Sequence, residues 1–287
     1  MVNKIARCFL DRLPDEAYLK LKFRIQMGKK LNLKEPKTFN EKLQWLKLYD
    51  RRPEYTTMVD KVTAKEYVAD KIGAQYIIPT LGVWDRFDDI DFDSLPDQFV
   101  LKCTHDSGGL VICRDKNTLD RAAAKEKIEK SLARNFYLRA REWPYKNVKP
   151  RILAEAFLQE ESGDLRDYKF FCFNGEPKCA LVCAQRYTGD GVRMSFYDPQ
   201  WNQMSFHWRY PPIETEVERP QELEKMLSFA KILSENIPFV RVDFYEVKGQ
   251  VYFGELTFFP ASGTAKFDSD EIMGTWITLP EELNPRG

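Results

Sequence analysis

Four stretches of the sequence set charged side chains where they can act together. Asp60-Lys61 opens a helical stretch. Lys102 ends the apolar run Phe99–Leu101 and leads into Thr104-His105-Asp106-Ser107-Gly108-Gly109. Ile152–Leu158 is apolar apart from one carboxylate, Glu155. Arg241-Val242-Asp243 and Gly254-Glu255-Leu256-Thr257 lie on two runs that read as adjacent strands. These residue types suit a polyphosphate. Two lysines from separate elements can clamp dense negative charge. A glycine loop lets backbone N–H groups come close to phosphate. Mg²⁺ prefers hard oxygen ligands, and Asp243 and Glu255 on paired strands would converge on one ion. Strand alternation puts Arg241 on the same face as Asp243, where it would stabilise a phosphoryl group in transfer.

Each piece alone has a plainer reading. A strand lysine is commonly a solvated edge residue, Glu155 a charge at a strand edge, and His105 a polar loop residue. Arg241, Asp243 and Glu255 would also serve as a salt-bridge ladder across a hairpin.

The elements that must position these residues follow from pattern. Residues 1–50 read as helical, with Thr38 as an N-cap before Phe39, Leu43, Trp45 and Leu46. Asp60–Ile72 reads as a helix ending at Gly73, and Ile77–Val83 as extended. Phe99–Cys103 and Leu110–Cys113 form a hairpin around the glycine loop, followed by a helix over Leu119–Tyr137. Arg151–Phe157, Asp167–Phe173 and Lys178–Gln185 read as strands, the last two joined by Asn174-Gly175. Pro220–Glu235 is an amphipathic helix, and Phe239–Tyr245 pairs with Gln250–Leu256 through Lys248-Gly249. Helices mixed with hairpin-joined strands predict an α+β fold with antiparallel sheets.

Composition narrows the class. The 287 residues carry 44 basic and 44 acidic side chains, so net charge names no partner and gives no sign of nucleic acid. Residues 1–54, however, hold 14 Lys/Arg against 7 Asp/Glu, a surface suited to an anionic substrate or the inner membrane leaflet. No apolar run reaches the roughly 18–20 residues of a membrane span, and Met1–Leu10 is too short for a secretory signal, which predicts a cytoplasmic protein. Cys8, Cys103, Cys113, Cys172, Cys179 and Cys183 form no Cys-x-x-Cys pair and read as reduced core thiols. With only His105 and His207 as histidines, a zinc site lacks ligands. No Gly-x-Ser-x-Gly elbow is present.

The order and spacing of the four stretches resemble the ATP-grasp superfamily from about Val59 to Lys266. Val59–Lys65 resembles its "DK" helix, Phe99–Lys102 the second phosphate-lysine strand, Thr104–Gly109 the mobile lid, and Glu155–Leu158 the adenine hinge. Thr38-Phe39-Asn40-Glu41-Lys42, Lys102–Gly109, Asp167–Gly175 and Glu255-Leu256-Thr257-Phe258-Phe259-Pro260 further resemble the TupA-like ATP-grasp group, associated with teichuronopeptide, capsule and other bacterial surface polysaccharides. The resemblance implies an ATP-grasp fold with two α+β subdomains clamping ATP: a basic helical region 1–55, then an ATP-grasp domain 56–287, divided into a lid-bearing part (about 56–150) and a larger part (about 151–287). It implies ATP contacts at Lys61, Lys102, Ser107, Gly108, Gly109, Glu155, Ala156, Leu158 and, for the ribose, Asp167. Asp243, Glu255 and Thr257 would face Mg²⁺, and Arg241 and Lys169 the reaction centre. Thr257 departs from the asparagine of most ATP-grasp enzymes. The implied reaction joins a carboxylate to an amine through an acylphosphate. Two other readings stay open: a glycosyltransferase using Asp91-Phe92-Asp93, and a nucleotide-binding scaffold without chemistry.

Overall fold

A computed structural model describes residues 10–159, 165–184, 192–208 and 210–283; the expected strand end Gln185 and Cys8 lie outside them. Helix α1 spans Asp15–Met27. Helix α2 spans Phe39–Tyr49 and starts on a capping box, with the Glu41 amide donating to Thr38 Oγ1 and the Thr38 amide to the Glu41 carboxylate. The helix expected over Asp60–Ile72 starts only at Thr63. Helix α3 covers Glu54–Val59 and α4 covers Thr63–Ile72, with Asp60-Lys61-Val62 as the joint between them. Asp60 closes α3 and turns its carboxylate to the Val62 amide at 2.9 Å, competing with helix continuation.

Two antiparallel sheets follow. The smaller contains β1 (Thr80–Trp84), β2 (Phe99–Cys103), β3 (Leu110–Cys113) and β4 (Ile152–Ala156) in the order β1-β4-β2-β3. β4 lies beyond the expected boundary near residue 150, yet it pairs with β1 and β2 in this first sheet. Phe99, Leu101, Cys103, Ile152 and Ala154 pack on α5 (Arg121–Leu132) through Ala124 and Ile128. By alternation the opposite face presents Val100, Lys102, Leu153 and Glu155. The helix expected to reach Tyr137 ends at Leu132. A separate turn, α6 (Phe136–Ala140), starts at Asn135, whose side chain caps it.

The larger sheet contains β5 (Asp167–Phe173), β6 (Glu176–Ala184), β7 (Arg193–Tyr197), β8 (Phe239–Val247) and β9 (Gln250–Thr257) in the order β7-β6-β5-β8-β9. Its two tight turns place Asn174-Gly175 at φ 50° and 83° and Lys248-Gly249 at φ 52° and 74°, the left-handed pairs that fit hairpin twist. Helix α7 (Leu223–Leu233) covers one face with Leu223, Met226, Ala230 and Leu233. α8 (Asp270–Trp276) packs on α2. The uncovered face of the large sheet and the Lys102 face of the small sheet bound a common cleft.

Candidate functional site

Strand register builds the centre of the cleft. Lys169 lies opposite Asp243, Arg241 opposite Thr257, and Asp243 opposite Glu255. Asp167, Lys169, Arg241, Asp243, Glu255 and Thr257 therefore share one sheet face. Arg241 binds Asp243 through two nitrogens at 2.6 and 2.7 Å, and its Nη2 also reaches Glu255 at 2.7 Å and Thr257 Oγ1 at 3.0 Å. Lys169 Nζ lies 2.5 Å from Asp243 and 2.6 Å from Asp167. The salt-bridge ladder read as an alternative is thus present. It lies in a cavity of about 330 Å³ rather than on an outer surface.

Electrostatics favour the charged forms of Glu255 and Lys169, whereas at Asp243 burial outweighs Arg241 and Lys169 and raises the carboxyl. Burial pushes the Glu255 carboxyl up, but Arg241, Lys169 and Lys61 outweigh it and bring it down to about 2. Burial disfavours the Lys169 ammonium, and Asp167 and Asp243 more than restore it. Among the described residues no group of three or more His, Cys, Asp and Glu side chains forms a metal cluster. The Asp243–Glu255 pair still fits Mg²⁺, which is commonly held by one or two carboxylates plus substrate phosphates and water. The Arg241 guanidinium touches both carboxylates, so they are already close enough to share one cation.

The lysines approach from the other side. Lys61, in the α3–α4 joint, donates from Nζ to the Asp106 carbonyl at 2.5 Å, and its amide bonds to Thr104 O. Lys102 pairs with Glu155, which also takes Lys65 at 2.8 Å. Burial raises the Glu155 pKa, but Lys102 and Lys65 outweigh it and lower it. Glu155 therefore orients two lysines as well as bordering the apolar pocket at Ala156 and Leu158. Ala156 and Leu158 line a neighbouring apolar pocket with Val100, Ile112 and Tyr245. Lys102, Leu110 and Tyr245 border both this pocket and the charged cavity. Asp167, opposite Tyr245 in register, stands near their junction.

The glycine loop differs from expectation in one respect. The Gly108 and Gly109 amides point to Asp106 Oδ1 at 3.2 and 3.0 Å, and Ser131 donates to the other Asp106 oxygen. Ser107 and Gly109 line the charged cavity; Gly108 is not among its lining residues. Sequence reading missed Asp106 and Lys65 as holders of this arrangement, although both sit inside the quoted motifs. It also missed Trp208 and Tyr210, which wall the cavity and follow no motif.

The basic N-terminal region is partly internal. Lys42 donates to Ile277 O, Lys47 is fully buried, Arg51 pairs with Asp15 and Arg52 with Asp50. Asp91 and Asp93 lie on an exposed turn with Phe92 packed into the small-sheet core, and neither lines the cleft. No helix among the described residues is long and apolar enough to cross a membrane.

An apolar pocket joined to a lysine- and carboxylate-lined cavity between two antiparallel sheets is the architecture of an ATP-grasp fold. The chain belongs to the TupA-like ATP-grasp family, whose model matches residues 41–278. Among solved structures it is similar to a D-alanine–D-alanine ligase from Helicobacter pylori, at 16% identity over 84% of this chain and 69% of that one, TM-score 0.43. It is similar to the ATP-grasp ligase PsnB bound to a phosphomimetic precursor variant, Mg and ADP, at 13% identity over 81% and 63%, TM-score 0.44. A D-alanine–D-alanine ligase from Bacillus anthracis complexed with ATP is matched at 16% identity over 70% of this chain and 54% of that one, TM-score 0.39, so the chain spans little more than half of that enzyme. No curated protein sequence matches the chain.

Proposed function

We propose that this chain is an ATP-dependent, ADP-forming carboxylate–amine ligase. The observation that carries the reading is the order of spaces along the cleft. The apolar pocket at Ala156 and Leu158 opens into the lysine-lined cavity, and that cavity opens past Arg241 and Glu255 into a second chamber. A base, a triphosphate and a second substrate fit these three spaces in line. Lys61 and Lys102 would hold phosphates, with Ser107 and the Gly108-Gly109 amides closing over them once released from Asp106. Asp167 would meet the ribose. Asp243 and Glu255, with Thr257 beside them, would hold Mg²⁺, which supplies charge neutralisation of the phosphates when bound. Arg241 would steady the transferring phosphoryl group, and Lys169 would hold Asp243 in place.

The chemistry needs no protein nucleophile. A substrate carboxylate oxygen attacks the γ-phosphorus, the bond to the ADP oxygen breaks, and an acylphosphate forms. An amine then attacks the acyl carbon, phosphate leaves, and the nitrogen loses a proton to give the amide. The family membership supports a place in surface polysaccharide assembly, with an amino acid or amino sugar joined to a uronic acid or similar acidic group. The two-subdomain division near residue 150, work in the cytoplasm, and peripheral contact of residues 1–54 with an anionic or lipid-linked acceptor belong to the same proposal. ATP, Mg²⁺ and a panel of uronic acids and amino compounds should give acceptor-dependent ADP and phosphate, lost in Asp243→Ala. Release of UDP from a nucleotide sugar instead would replace this reading with the glycosyltransferase.

A further inference from the structure

The second chamber, of about 600 Å³, lies between α1, the segment 136–145 and the loop 260–266. Its wall concentrates positive charge. Lys22 Nζ donates to the Arg139 carbonyl at 3.0 Å, so its ammonium stands beside that residue. Burial lowers the Lys22 pKa; Glu142 offsets this in part, and the Arg139 charge adds to it. Lys266 lines the same chamber. Neither Arg139 nor Lys266 forms an ion pair among the described residues. Three carboxylates line the chamber: Asp106 and Glu255 are engaged by Ser131 and Arg241, and Glu142 is buried and accepts from Ser262 Oγ at 2.7 Å. Lys22 is half-buried and Arg139 and Lys266 are exposed; like charges lining one chamber repel one another, and an anion placed between them reverses the sign of the interaction.

The floor is built to match. Ala261, Ser262 and Gly263 are successive left-handed residues, φ 48°, 56° and 58°. Buried polar residues of α2 fix their outer side. Gln44 donates to Ser262 O and Gly263 O at 3.0 and 2.7 Å, Lys47 to Ser262 O at 2.9 Å, and Asn40 to Ala265 O at 2.9 Å. In a trans peptide the N–H points opposite to the carbonyl, so the Gly263 and Lys266 amides face away from α2. No α2 residue lines the chamber, which lies on that far side.

We infer that this chamber binds the second substrate and that Lys22, Arg139 and Lys266 hold an anionic group of it, a carboxylate or phosphate remote from the carboxylate presented to Arg241. The substrate class is a small molecule with two anionic groups. The inference rests on the ligase reading. It is tested on the full chain with Mg²⁺ and a non-hydrolysable ATP analogue, AMPPNP, by calorimetric titration of two probes. D-Glucuronate 1-phosphate offers a carboxylate with a phosphate handle, and D-glucarate a second carboxylate. At least one should bind, and its affinity should fall about tenfold or more in Lys22→Gln/Arg139→Gln and again with added salt, while AMPPNP affinity stays unchanged. Lys266→Gln, at an exposed position, should weaken the same probe if the double variant is unstable. Binding of neither probe, or equal binding to wild type and variants, overturns the inference alone. Failure of wild type to bind AMPPNP with Mg²⁺ overturns the ligase reading beneath it.

Discussion

Arg241 is the residue on which most of the site converges. It holds Asp243, Glu255 and Thr257 at once, so any change leaves two carboxylates facing one another. Arg241→Lys keeps the charge but loses the forked geometry. It should lower ADP formation by about a hundredfold or more, a loss of the size seen when one charge-stabilising donor is removed. Steady-state kinetics check this, and near-normal kcat would remove Arg241 from the reaction centre. Lys102→Ala removes the proposed phosphate contact and also leaves Glu155 with Lys65 as its remaining cation. Equilibrium binding should show weaker ATP. These residues were legible in the sequence because a charge inside an apolar strand is unusual. Lys22, Arg139 and Lys266 were not legible. They look like ordinary surface cations and come together only when α1, the segment after α5 and the loop after β9 meet.

At the scale of elements, α2 is a girder with a polar inner edge. Asn40, Gln44 and Lys47 recur at helical spacing and are almost wholly buried. The sequence predicted the helix and its Thr38 cap. It gave no hint that this edge faces inward, because amides and lysine on a helix usually mark the solvent side. Gln44→Leu strands the Gly263 carbonyl and leaves Ser262 O to Lys47 alone, and should cost about 1–3 kcal/mol, read as a lower denaturant midpoint. Lys47 adds a pH signature. Burial pulls its ammonium down to about 7, against the usual value near 10.5. Between those values the unfolded chain binds a proton that the folded chain does not, so stability contributed here rises as pH increases from about 7 to 10. Lys47→Met should remove that rise in denaturation curves across this range; an unchanged slope would show that the ammonium stays charged. The lid depends on a close approach. A Cβ on Gly109 would collide with Cys103 and Ser131, so Gly109→Ala should shift the lid and slow ATP turnover more than it lowers melting temperature.

At the scale of the molecule, the two sheets present opposed faces to one cleft, and the charges that line it are paired with each other. Lys61 and the glycine amides are engaged at Asp106, and Arg241 spans the two carboxylates. In the proposed complex, ATP with Mg²⁺ would exchange these internal partners for phosphate and metal. Binding should therefore tie the lid strands to the large sheet and slow amide exchange over residues 104–110. The hairpins and most strands were readable from alternation and turn residues; β7 was not, since no strand was expected over Arg193–Tyr197. The membership of β4 in the first sheet was not, because pairing between strands far apart in sequence leaves no local mark. The most direct test of the account is calorimetric titration of ATP into the full chain with and without Mg²⁺, beside Asp243→Asn. The account predicts binding that is strengthened by Mg²⁺, with that strengthening lost in the variant. No ATP binding, or binding indifferent to both the metal and Asp243, would contradict it.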